Sequence, residues 1–331
     1  MKRRCALFLC LILAVSMFAG CKKDDGLVKV QLNEVAHSIF YAPMYVAIEE
    51  GYFKEEGIDL KLVNGLGADK TMTAVLSGEA DIGFMGSEAS VYVYNEGADD
   101  YVVNFAQLTQ RAGNFLVSRE KAENFTITDL RGKTVLGGRK GGMPQMVFEF
   151  ILKKYGMDPE KDLNIVTNID FGLTAQAFMG GSGEYTVEFE PSATGLEKQG
   201  EGYVVASLGV ESGYVPYTAF SAKKSYIEKN PEVIEGFVKA LQKGMDYVNS
   251  HTAREIAEKI QPQFKETDLD TITAIVTRYH EQDTWKEDLI FSEEAYTLLL
   301  DILESAGELE KRPPYKDLVD NTYSKKAAEE K

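Results

Sequence analysis

The sequence predicts an α/β protein with two successive sheet-forming series, and three observations carry that expectation. Strand-like and helix-like segments alternate from Val28 to about Ser221, the signature of layered α/β domains. Each series holds enough strands for a sheet of its own. Beyond Ser221 the pattern changes to long amphipathic helices, which read as outer scaffold. A chain of 331 residues is long enough for two domains with sizeable cores.

In order, Val28 to Leu32 reads as a strand, Ala42 to Glu50 as a helix stopped by Gly51, and Ile58 to Leu62 as a half-buried strand of alternating apolar and charged residues. A helix over Asp69 to Leu76 ends at Gly78. A strand at Asp81 to Met85, a helix at Ser87 to Tyr94 and a strand at Tyr101 to Leu108 complete the first series. The second starts near Phe115, with strands at Lys133 to Gly137, Leu163 to Ile169, Tyr185 to Phe189 and Tyr203 to Ser207. Helices are expected between them at Gln145 to Tyr155 and Thr174 to Met179. After a strand at Tyr217 to Ser221, Asn230-Pro231 suits a cap and first turn, and Val233, Ile234, Phe237, Val238, Leu241, Met245 and Val248 share one helical face. The tail from Lys311 is charged and Pro-broken, so its end is expected to fray.

The N-terminus carries a separate message. Lys2, Arg3 and Arg4 precede an apolar run from Cys5 to Phe18 and small residues at Ala19 and Gly20, the parts of an export signal. The run is shorter than the roughly 20 residues of a comfortable membrane span. Phe18-Ala19-Gly20-Cys21 resembles the lipobox of bacterial lipoproteins, with Phe18 in place of the usual Leu. The resemblance implies cleavage before Cys21, lipidation of that residue and a tether over residues 21–27. All three cysteines, Cys5, Cys10 and Cys21, lie here, so a cleaved chain has no intramolecular disulfide. The formal charge of −16 becomes −19 once Lys2, Arg3 and Arg4 are removed, which disfavours nucleic acid as a partner.

The usual signatures of enzymes are missing. Gly132-Lys133-Thr134 ends like a phosphate-binding loop, but Ile127 stands at the required earlier glycine and the segment precedes a strand. Gly65-Leu66-Gly67 has Lys70 at the third glycine of a dinucleotide fingerprint, and Gly180-Gly181-Ser182-Gly183 lacks nucleophile-elbow spacing. His37, His251 and His280 are too scattered to suggest a zinc helix motif. No cofactor or metal is expected.

The stretch from Tyr41-Ala42-Pro43-Met44-Tyr45 through Glu49-Glu50-Gly51-Tyr52-Phe53 to Gly57-Ile58 resembles the first helix and turn of ABC-importer solute-binding proteins. The branch it resembles is the thiamine-pyrimidine-precursor type, allied to the taurine and aliphatic sulfonate binders. Further matches follow in order at Leu76 to Gly83, Asp129 to Val135, Phe189-Glu190-Pro191 and Ile227 to Pro231. The resemblance implies a two-lobed type II periplasmic-binding-protein fold, each lobe a mixed sheet flanked by helices, with two interlobe crossings. These are expected near Gln110 to Leu116 and Gly213 to Tyr217, giving lobe 1 as 28–112 plus 218–310, lobe 2 as 113–217 and a charged tail at 311–331. Implied partners are a small-molecule ligand, an ABC permease and its ATPase, and the membrane through the lipid; a monomer is expected.

In open α/β sheets, ligands sit beyond the carboxyl ends of strands, near helix N-termini. After the first strand, Tyr41 or Phe40 suits stacking on a flat ligand, and His37 or Ser38 hydrogen bonding; Phe40 fits a core role equally. Ser87 and Glu88 fit either ligand contact or an N-cap and first-turn acid. Gln110 ends a strand near the first crossing. In lobe 2, Arg139, Lys140, Gly141 and Gly142 form a glycine-rich basic loop able to approach a carboxylate, sulfonate or phosphate closely. Glu188 and Glu190 share one face of an extended segment and could accept from an amine or aminopyrimidine; the resemblance favours Glu190. Tyr217 is a candidate aromatic lid. A thiamine-related aminopyrimidine is the first ligand expected, with sulfonates such as taurine, or a flavin, as alternatives. From other classes, a pyrimidine-precursor synthase is disfavoured because its cysteine-rich motif is missing, and a sensory surface lipoprotein stays open.

Overall fold

The computed structural model describes residues 26–170 and 172–330. The export signal and the lipidation expected at Cys21 lie outside the described residues. Among those residues the strands run in chain order as β1 (Val28–Glu34), β2 (Ile58–Asn64), β3 (Ile82–Gly86), β4 (Val102–Thr109), β5 (Asn114–Ser118), β6 (Thr134–Leu136), β7 (Asn164–Val166), β8 (Tyr185–Phe189), β9 (Tyr203–Ser207) and β10 (Thr218–Lys223). They form two five-stranded sheets, ordered β2-β1-β3-β10-β4 and β7-β6-β8-β5-β9.

The two sheets repeat one plan. In the first, β1, β2 and β3 are parallel and β10 runs antiparallel between β3 and β4. In the second, β6, β7 and β8 are parallel and β5 runs antiparallel between β8 and β9. Each antiparallel strand is the one that follows a passage between sheets, through 110–113 outward and 213–217 back. The result is the expected mixed α/β architecture.

The helices that matter below are α1 (Ala42–Glu49), α2 (Ala68–Ser77), α3 (Glu88–Asn95), α4 (Met143–Lys154), α5 (Pro231–Ser250), α6 (Leu269–Glu281) and α7 (Thr322–Glu329). Helix α5 begins at Pro231 as expected, but Asn230 supplies no side-chain cap; its amide donates backwards to the Tyr226 carbonyl at 2.9 Å. Helix α5 presses closely on α1 at Gly244, where a Cβ would lie 2.2 Å from the Pro43 carbonyl oxygen and 3.1 Å from Ala47 Cβ. Gly244→Ala is therefore expected to destabilise the protein by about 2 kcal/mol, because overpacking outweighs the gain in helix propensity. A urea melt that shows no change in midpoint would contradict this.

The C-terminal tail departs from expectation. Leu318, Val319 and Ala327 are buried, Val319 bridges Asn104, and Ser324 Oγ donates to the Phe105 carbonyl at 2.6 Å. Strand β4 is the sheet edge, and its outward backbone groups need partners. The tail supplies them around Asn104 and Phe105, residues 284–289 supply them from Gln107 to Gln110, and α7 packs on α5.

Candidate functional site: a cleft between the two sheets

A cavity of about 40 Å³ lies where the carboxyl ends of the parallel strands converge. Tyr41 and Val35 follow β1, Gly67 follows β2, and Gly86 and Glu88 come from the end of β3 and the start of α3. The other wall is Arg139, Gly142 and Met143 after β6, and Phe189 at the end of β8, with Tyr217 from the return passage. Tyr41, Phe189 and Tyr217 give it an aromatic lining. Glu88 and Arg139 also line an outer groove of about 870 Å³, so the two spaces share a wall.

Glu88 is the unusual group here. It is 2 % exposed; its Oε1 accepts a long bond from the Met143 amide at 3.4 Å, and its Oε2 has no partner. Burial pushes its carboxyl up from 4.5 to about 7, against the pull of two backbone amides and Arg139. Such a group can accept a hydrogen bond or, when protonated, donate one. Two helices also start at the cavity. Gly67 and Gly142 are the N-cap residues of α2 and α4 and have no side chain to cap with, so apart from the Met143 amide, which Glu88 engages, first-turn N–H groups are free of that competitor.

The other expected site residues divide. Arg139 and Gly142 line the cavity, while Lys140 and Gly141 line the outer groove. The Gly141 carbonyl accepts from Tyr92 on α3 at 2.8 Å, and Gly141 holds a φ of 74° that favours glycine. Ser87 is not a cap: its hydroxyl donates to the Pro216 carbonyl at 2.7 Å, in the return passage. Gln110 lies in the outward passage and donates to the Asp283 and Trp285 carbonyls. Phe40 is fully buried against Tyr41, Phe189, Tyr217 and Tyr279.

Three residues are held elsewhere. His37 stacks on Phe264 and uses both ring nitrogens, on Glu34 at 2.8 Å and the Gln263 carbonyl at 2.9 Å. Ser38 Oγ donates to the Glu190 carbonyl at 2.6 Å. The Glu190 carboxylate accepts from the Thr194 amide and hydroxyl and from Arg278 Nη1 at 2.9 Å. It is saturated by protein partners. Instead, Glu188 lines a neighbouring cavity of about 60 Å³, where burial pushes its carboxyl from 4.5 to about 7.

These two raised carboxyls set a pH dependence. Between about 4.5 and 7 the folded protein holds protons that the unfolded chain has released. Their contribution to stability is therefore complete below the lower value and lost as pH rises through the upper one. Glu88→Gln and Glu188→Gln should each flatten the fall in melting temperature between about pH 5 and about pH 7. Wild-type and variant melting curves that stay parallel across the range would contradict it.

Among the described residues, no three His, Cys, Asp or Glu side chains gather as a metal site, and no helix is long and apolar enough to cross a membrane. The alkanesulfonate-binding protein SsuA from Xanthomonas axonopodis pv. citri has the same fold, with a TM-score of 0.71 at 14 % identity, covering 89 % of this chain and 98 % of that one. YtlA of Bacillus subtilis, named as a candidate binding protein, is 49 % identical over 313 residues, 95 % of this chain and 94 % of that one. The 4-amino-5-hydroxymethyl-2-methylpyrimidine phosphate synthase of Aspergillus parasiticus is 22 % identical over 232 residues, 67 % of this chain and 66 % of that one. Residues 39–254 match the family profile described as NMT1/THI5 like. With the cleft, the paired sheets and more than half its length accounted for, the chain belongs to the NMT1/THI5-like family.

Proposed function

We propose that this protein is the extracytoplasmic solute-binding component of an ABC importer, and that it captures a thiamine-related aminopyrimidine in the cleft by hinge closure. The observation that carries the ligand assignment is the unpartnered Glu88 oxygen beside Tyr41, Phe189 and Tyr217. A carboxyl group matches the edge of an aminopyrimidine, accepting from the exocyclic N–H and sharing a proton with the adjacent ring nitrogen. Aromatic walls suit the flat ring. The cavity is well below the roughly 150 Å³ that admits benzene, so ligand access requires the lobes to part, with 110–113 and 213–217 as hinges. Residues 28–112 with 218–310 form one lobe and 113–217 the other. Lipidation at Cys21 holds a monomer close to its permease and ATPase.

A second reading is an anion such as a sulfonate, favoured by the N-termini of α2 and α4, whose N-cap residues are glycines, at the same cavity. The unpaired acid of Glu88 opposes it. Enzymatic synthesis of the pyrimidine, the activity named for distant relatives, finds no support in a chain whose cysteines all precede residue 22.

Thermal melting of the soluble chain from Lys22 onward, against aminopyrimidines, thiamine, flavins, taurine and alkyl sulfonates, separates these readings. A ligand specific to the native state adds about 2.7 kcal/mol at a hundredfold excess over Kd. A saturable rise with aminopyrimidines alone is expected; a rise only with sulfonates would overturn the assignment.

A further inference from the structure

Glu34, His37 and Tyr45 form a hydrogen-bonded triangle behind the cleft wall, and their neighbours fix how many protons it holds. His37 Nε2 lies 2.9 Å from the Gln263 carbonyl oxygen, which can only accept, so Nε2 carries a proton. The Tyr45 hydroxyl accepts from the Ser38 amide at 3.2 Å and donates to Glu34 Oε2 at 2.6 Å; it could serve His37 Nδ1, 3.2 Å away, only by leaving Glu34. That leaves His37 Nδ1 against Glu34 Oε1 at 2.8 Å, a contact that needs one proton between the two atoms, on either of them. Glu34 is 1 % exposed, so without that proton its charge would be buried beside a neutral ring. The His37 side chain is 31 % exposed, which gives the proton a route to solvent.

The triangle supports the turn that meets the ligand. Glu34 ends β1 and Tyr45 lies in α1. Ser38, whose amide Tyr45 holds, caps the single turn Ile39–Tyr41 by accepting from the Phe40 amide at 3.3 Å, and its hydroxyl donates to the Glu190 carbonyl beyond β8 of the second sheet. Tyr41, the last residue of that turn, lines the cleft. Two further titratable groups stand close: Tyr41, which feels the charge of Glu34, and Glu49, which accepts from the side-chain amide of Gln263.

We propose that His37 and Glu34 are positioning residues for ligand binding, the one proton shared between them holding the Ser38–Tyr41 turn in the shape that lines the cleft and reaches Glu190. Loss of the proton sets two acceptors face to face and releases the turn. Burial pulls the His37 ring down, but its bonds to Glu34 and the Gln263 carbonyl outweigh this and leave it raised above 6.5; burial raises Glu34 above 4.5. The proton is therefore held at neutral pH and lost as pH rises through the raised His37 value. Any ligand that touches Tyr41 would feel the change, so the aminopyrimidine assignment is not required for it.

Glu34→Gln separates this role from packing, because glutamine can donate its amide to Nδ1 and still accept from Tyr45, leaving no proton to lose. Hydrogen exchange of the Ser38–Tyr41 amides, followed by mass spectrometry on ligand-free protein at about pH 6 and about pH 9, reads the turn directly. Wild-type protein is expected to match Glu34→Gln at the lower pH and to exchange about tenfold faster than it at the higher, the effect of one hydrogen bond. Affinity for 4-amino-5-hydroxymethyl-2-methylpyrimidine should fall with pH by a similar factor relative to the variant, a ratio in which the titration of Glu88 cancels. Nitrogen NMR of the His37 ring in wild-type protein needs no variant and should show Nε2 protonated throughout while Nδ1 loses its share of a proton over the range where exchange quickens. Equal exchange of wild type and folded variant at both pH values, or a His37 ring whose state does not change, would overturn the proposal. A probe that binds at no pH would end the aminopyrimidine reading and leave the exchange and NMR results to decide the His37–Glu34 pair.

Discussion

Glu88→Gln should weaken aminopyrimidine binding by about 10- to 100-fold, the loss expected when a hydrogen bond to an ionisable partner is replaced by a poorly matched amide. The substitution keeps size and shape, so the cleft wall between Gly86 and Met143 should survive it. Glutamine cannot take up or release the proton that lets a carboxyl pair with either form of the ring. The anion reading predicts the opposite sign, since removing a buried acid beside two helix N-termini would strengthen sulfonate binding. Calorimetric titrations of wild type and variant with an aminopyrimidine and with taurine measure both directions. Unchanged aminopyrimidine affinity in the variant would remove Glu88 from the site.

Arg278→Met should lower stability by about 2–3 kcal/mol. Arg278 reaches from α6 to Glu190 at 2.9 Å and Glu197 at 3.0 Å, joining the chain after the return passage to the end of β8. The Glu190 carboxylate is 0 % exposed, and losing one partner of a buried pair costs about 3–5 kcal/mol. Arg278 itself is 35 % exposed, so solvent screening reduces that figure. Because the pair ties the two halves together, the variant should also open more readily, with a larger radius of gyration in X-ray scattering. The double variant Arg278→Met with Glu190→Gln should recover most of the stability, because no bare charge is left buried. A single variant as stable as wild type would show that the Thr194 bonds alone satisfy Glu190.

The strand pattern was legible because burial of one face imposes a period of two residues on β2, while burial of both faces gives short apolar runs on β3 and β5. It could not show that the tail covers β4: an edge strand's need for backbone partners leaves no mark on side-chain pattern. The short helix Ser192–Gln199 after β8 escaped for want of periodic length. At the site, Tyr41, Glu88, Arg139, Gly142 and Tyr217 could be named from loop position, and the structure gathers them around one cavity. Glu188 and Glu190 could not be ranked, since alternation places both on one face while β8 ends between them at Phe189. Only the fold brings Arg278 to Glu190, across 88 residues of sequence. Phe189 was hidden because its role depends on sheet order.

Co-crystallisation with 4-amino-5-hydroxymethyl-2-methylpyrimidine tests the central claim most directly. The account predicts the ring bound among Tyr41, Phe189 and Tyr217, its amino nitrogen within hydrogen-bonding distance of the Glu88 carboxyl. A ring bound elsewhere, or a cleft that takes only an anion at the starts of α2 and α4 with Glu88 turned away, would contradict it.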